Sequence, residues 1–203
     1  MAGSAAGRRV FEYRFVADFQ GDDLPAFREA LVELAGGFTE IPGDRGTRYV
    51  IGLQGRDARR RLRAVLIRWS SHARAGRINL EQRSISWARD EIYFLLPLQR
   101  NPDQPGKPRL PLFTNEQFAC FRDSLARDFH FRPEAVRVYG EWRNDAGRLI
   151  PDHLLLFRVP RRGRGVVHSL RRFIRRVLLS APGCDQDYVY LSSRWRGEYV
   201  ARI

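Results

Sequence analysis

Arginine supplies most of the chemistry this chain can offer. Arg56, Arg59, Arg60, Arg61, Arg63 and Arg68 form one cluster, and Arg161, Arg162, Arg164, Arg171, Arg172, Arg175 and Arg176 form a second. A guanidinium is a planar fork of donors that stays charged at any physiological pH and matches the paired oxygens of a phosphate or carboxylate. An ordinary charged helix face balances itself with acids three or four positions away. No Asp or Glu lies between Arg59 and Asn79, so repulsion along that stretch is uncompensated from within. The run Pro160-Arg161-Arg162-Gly163-Arg164-Gly165 adds glycines that let the backbone approach an anion. It directly precedes an expected helix N-terminus, where free amides and the helix dipole favour negative charge. The expected chemistry is contact with the phosphates of a polyanion.

Other reactive residues are sparse. His72, His130, His153 and His168 stand apart, and none has the spacing of a metal ligand pair. No Walker loop, GxSxG or GxGxxG is present, so neither a metal nor a cofactor is expected. His168 is the one catalytic candidate. Neighbouring cations such as Arg164 and Arg171 favour its neutral, proton-accepting form, which could act on a phosphodiester without a metal. A capping or solvent-exposed histidine is the commoner case. Glu81-Gln82 and Asp185-Gln186 recur at matching places, either as a carboxylate base with an amide orienter or as a structural turn satisfying open backbone groups. The structural account is preferred. Cys120 and Cys184 lie far apart without a CxxC, which excludes a disulfide scaffold or zinc motif.

Periodicity gives the elements that position these residues. Residues 10–19 alternate Phe11, Tyr13 and Phe15 with Glu12 and Arg14, the period of a half-buried strand. Asp22 and Asp23 offer an N-cap to a helix with Leu24, Phe27, Leu31 and Leu34 on one face, stopped by Gly36-Gly37. Strands are expected over 38–41 and 48–53, across Pro42-Gly43-Asp44-Arg45-Gly46. A second helix covers 57–75 with Leu62, Val65, Leu66 and Trp69 buried, and a strand covers 78–87. The order then repeats: a strand over 92–98, a proline-rich surface loop over 101–111 excluded from any sheet, and a helix opened by the capping box Thr114…Gln117. Strands over 135–142 and 149–159, a helix over 165–179 on the stripe Leu170, Phe173, Ile174, Val177, and a strand over 187–192 complete it. Residues 195–203 are a tail that offers an edge strand.

This βαββαβ order, met twice, predicts an α+β protein built by internal duplication of a ferredoxin-like sandwich. Repeat 1 covers 10–89, repeat 2 covers 90–194, and residues 1–9 are a flexible start. The eight strands form two four-stranded antiparallel sheets or one continuous eight-stranded sheet. Tandem ferredoxin-like units with basic faces resemble the layout of CRISPR-associated RNA-processing proteins. The resemblance rests on layout and charge; the glycine-rich loop near the C-terminus of that family has no counterpart here.

Charge sets the class of partner. Of the 36 basic side chains only Lys107 is a lysine, and against 23 acids they leave +13. A GC-rich genome explains arginine in place of lysine, but not the net charge, which attracts nucleic acid, acidic proteins or anionic surfaces. No stretch reaches the roughly 20 apolar residues of a membrane span, and the cytoplasm is the expected location. Tyr13, Phe15, Tyr49, Tyr93, Phe94, Tyr139, Trp142, Tyr188 and Tyr190 sit on expected strands. Most must build cores, and RRM-type Gly-Phe motifs are absent, so phosphate contact with little base readout is expected. The leading expectation is a non-enzymatic, RNA- or single-strand-binding accessory protein. Its alternatives are an adaptor docking on an acidic protein in a phage- or defence-type assembly, and a metal-independent nuclease or small-ligand enzyme at the domain junction.

Overall fold

A computed structural model describes residues 9–19, 21–43, 46–73, 78–80, 91–100, 109–143, 147–160, 165–193 and 196–202. The chain order is β1 (Arg9–Ala17), α1 (Asp23–Ala35), β2 (Gly37–Ile41), β3 (Thr47–Leu53), α2 (Ala58–Trp69), β4 (Asn79–Leu80) and β5 (Glu91–Pro97). It continues with α3 (Asn115–Phe129), β6 (Ala135–Arg143), β7 (Leu149–Pro160), α4 (Val166–Phe173), a π-helical segment (Ile174–Leu179), β8 (Tyr188–Ser193) and β9 (Arg196–Ala201). The class is α+β, and the described residues form four helices and eight full antiparallel strands beside the two-residue β4. Two compact units share the chain. One comprises Met1–Arg9, Ser86–Arg137 and His153–Ile203; the other comprises Val10–Ile85 and Val138–Asp152.

In the second of these, β1 pairs with β3 through Phe11↔Leu53, Tyr13↔Ile51 and Phe15↔Tyr49, and β2 lies between β3 and β6. The alternation seen in sequence puts Phe15, Tyr49, Ile51, Leu53 and Phe38 on one face. There they meet Phe27 and Leu31 of α1 and Ala58, Leu62 and Leu66 of α2. Gly36 takes the left-handed conformation that ends α1, a position that suits glycine because it has no Cβ to clash. Asp22 occupies the N-cap, but its side chain makes no capping bond. The alternate face of β1 departs from expectation. Glu12 and Arg14 are buried, at 0% and 3% side-chain exposure, with Arg14 Nε donating to Glu12 Oε1 at 2.7 Å. Spaced two apart on a strand they share one face, and pairing offsets part of the desolvation cost of burying each charge.

In the other unit, β5 lies between β7 and β8, and β9 extends the sheet beyond β8. Ile92, Phe94 and Leu96 of β5 pack with Phe157 and Val159 of β7, Phe121 and Leu125 of α3, and Leu170 and Phe173 of α4. Thr114 and Gln117 form the expected capping box at α3, with both reciprocal bonds made. The C-terminal tail contributes a full strand, in register from Tyr188↔Ala201 to Ser193↔Arg196. Residues 101–108 of the proline-rich loop lie outside the described residues, yet its end does meet β structure. Pro111 bridges Gln99, and the bonds Arg100 N–H to Leu110 O and Leu112 N–H to Leu98 O flank the proline, so its missing donor is not needed.

The helix expected over 165–179 changes character halfway. From Ile174 it widens into a π segment, and the apolar stripe passes to Leu178 and Leu179 while Val177 is only half-buried. An α-helical stripe would have used Val177. The wider turn lets Ile174, Leu178 and Leu179 all reach the core.

Candidate functional site

On α2, burial of Ala58, Leu62 and Leu66 turns the opposite side outward, so Arg59, Arg60, Arg61, Arg63 and Arg68 of the helix, and Arg56 just before it, are all exposed. Among the described residues, one acid serves this face. Asp57 lies 3.9 Å from Arg60 and 3.5 Å from Arg61, and Arg61 also donates to the Gln54 carbonyl at 2.9 Å. Arg56, Arg59, Arg63 and Arg68 have no acidic partner among the described residues. Ile67 stands among them, 63% exposed.

The arginines of α4 and its π segment are arranged differently. Arg171 grips Glu198 of β9 with both sides of its fork, Nε to Oε1 and Nη2 to Oε2, the latter at 2.9 Å. Arg175 Nε donates to the Ala201 carbonyl at 3.3 Å. Arg172 and Arg176 are exposed, and Arg172 Nη2 lies 3.2 Å from Nε2 of the exposed His168. A guanidinium only donates, so this contact uses the imidazole lone pair that a general base would need. Of the four arginines of this segment that were expected to contact phosphate, two are therefore half-buried and engaged within the fold. Arg171 and Arg175 serve β9, because the tail folds into a strand beside this helix.

Arg161, Arg162, Arg164 and the pair Glu81-Gln82 lie outside the described residues. In the matching pair, Gln186 Nε2 donates to Asp185 Oδ1 at 3.0 Å, and Arg202 ties the same turn through the carbonyls of Cys184 and Gln186. These contacts are those of a structural turn. Burial pushes the Cys184 thiol up, away from thiolate, and Cys120 is free and exposed. Among the described residues no group of three or more His, Cys, Asp or Glu is placed to hold a metal ion, and no helix is long and apolar enough to cross a membrane.

The aromatic residues are largely structural. Phe15 stacks on Tyr49 in one core and Phe94 on Phe157 in the other. On the helix-free side of β5, β8 and β9, Tyr93, Tyr190 and Tyr199 stand in a row with centroids 6.4 and 5.4 Å apart. Tyr93 is buried and Tyr199 exposed, so this row does not present all three rings for stacking.

One polar cluster has no sequence precursor. Arg28 of α1 holds both oxygens of Glu40 at 2.8 and 2.6 Å and lies 4.6 Å above the Tyr139 ring, while the Tyr139 hydroxyl donates to Glu141 at 2.5 Å. Burial, and then the neighbouring carboxylates, push the Tyr49 and Tyr139 phenols well above their ordinary range. The hydrogen bond to Glu40 holds Arg28 more firmly charged. The pairing Glu40↔Tyr139 joins residues too distant in sequence for any local pattern to reveal.

No family model matches the chain, and no curated protein matches it in sequence.

Proposed function

We propose that the protein binds nucleic acid, RNA or a single strand rather than a specific duplex site, and performs no chemistry on it. The observation that carries this is the outward face of α2, where Arg56, Arg59, Arg63 and Arg68 are exposed without counter-ions among the described residues, in a chain of net charge +13. Such cations release condensed counter-ions when they meet phosphates, and that release drives association. The helix α4 and its π segment add Arg172 and Arg176, so α2 is the principal contact and this segment the lesser one. The strand orders β2-β3-β1-β4 and β6-β7-β5-β8 follow one pattern, which supports reading the chain as two ferredoxin-like copies with a basic second helix in each.

The test is binding of labelled single-stranded RNA, single-stranded DNA and duplex DNA across a salt series up to about 0.3 M, where each phosphate contact contributes about 0.7 to 0.9 to the slope of log K against log salt. Replacing Arg56, Arg59, Arg63 and Arg68 with Gln is expected to flatten that slope by about 3 for a single strand, with circular dichroism unchanged. R172Q/R176Q, which removes two contacts rather than four, is expected to flatten it by about half as much. Weak, indiscriminate wild-type binding that vanishes near physiological salt would overturn the proposal.

A second reading, docking on an acidic protein, draws on Ile67. A large apolar side chain exposed amid arginines suits a protein surface better than a phosphate backbone. Nucleic-acid affinity unaffected by I67A, together with salt-sensitive binding of an acidic protein that I67A weakens, would favour it.

A further inference from the structure

We propose that Glu198 is an internal competitor for the nucleic acid: its carboxylate occupies Arg171 as a phosphate would and keeps that arginine out of the binding face. The inference rests on the nucleic-acid reading above and concerns how much of α4 takes part. Of the four arginines that α4 and its π segment contribute, β9 engages two, Arg171 through Glu198 and Arg175 through the Ala201 carbonyl. Arg172 and Arg176 remain on the exposed face. The Arg171–Glu198 pair has the fork-to-fork geometry that arginine uses for phosphate. It is not sealed in the core, since side-chain exposure is 33% for Arg171 and 17% for Glu198. A phosphate arriving at α4 can therefore reach the same guanidinium. It must displace a carboxylate held at an effective concentration no free anion matches.

The charge of Glu198 is what excludes the phosphate, and this separates the inference from a purely structural clamp. E198Q keeps an oxygen that can accept from Arg171 and removes the charge. The measurement is the salt slope for single-stranded RNA, with a thermal melt of each protein alongside. Wild type is expected to show a definite slope, and E198Q one steeper by about 0.7, equivalent to one added contact, with tighter binding at every salt concentration. The double variant R171Q/E198Q is expected to return to the wild-type slope. If E198Q melts early, comparing it with the double variant still isolates the effect, because both lack the ion pair and only one has the freed arginine. A wild-type slope with E198Q identical to it overturns the competitor role alone. A wild type without salt-dependent binding overturns both this inference and the nucleic-acid reading.

Discussion

Glu12 and Arg14 place a carboxylate and a guanidinium 2.7 Å apart on a buried face of β1. Alternation with Phe11, Tyr13 and Phe15 puts the two charges on one face, and they are on one face, but that face is buried. Truncating Arg14 alone leaves a carboxylate short of its closest partner in a dry setting, so R14M is expected to cost about 3 to 5 kcal/mol in urea unfolding. E12L/R14M is expected to recover part of that loss, because neither charge of the pair is then left buried without the other. Burial of the Tyr49 and Tyr139 phenols makes a second prediction. Folding favours their neutral forms, so the stability they give is complete below the ordinary tyrosine value of about 10 and is lost as pH rises through the higher folded values. Melting temperatures measured from pH 8 to 11 should fall above about pH 10, and Y49F should make that fall shallower. The arginines of α2 were legible because periodicity and the missing acids are local facts. The engagement of Arg171 was not, since Glu198 is distant in sequence and meets it only when β9 forms.

At the scale of elements, capping chemistry and period carried far. The Thr114–Gln117 box and the left-handed Gly36 stand where their residue types require, because both are settled within a few residues by backbone hydrogen bonding. The π segment was not legible, as an apolar run of Val177, Leu178 and Leu179 fits more than one helical period. It leads to a discriminating measurement. In the π arrangement Leu178 is buried and Val177 half-exposed, so L178A is expected to cost about 2 to 5 kcal/mol and V177A much less. A uniform α-helix would reverse that order. The difference bears on function, because the same segment carries Arg175 and Arg176.

For the molecule as a whole, class and charge were readable, while the partition of the chain was not. Two apolar clusters follow from the order of strands and helices, but a boundary near residue 90 does not delimit the compact units. Residues 138–152 join Val10–Ile85, since β6 pairs with β2 from Gly37↔Trp142 to Glu40↔Tyr139, and strand partners are chosen by tertiary fit that no local pattern encodes. That pairing has a consequence for synthesis. The ribosome finishes residues 10–85 while the strand that flanks β2 has yet to be made. At about 5 to 20 residues per second, residues 86–143 take between about 3 and 12 s. During that interval the edge of β2, from Gly37 to Ile41, waits unpaired on a nascent chain, a template for any extended segment nearby. The unit that begins at Val10 can be completed only after Val138–Asp152 has been made.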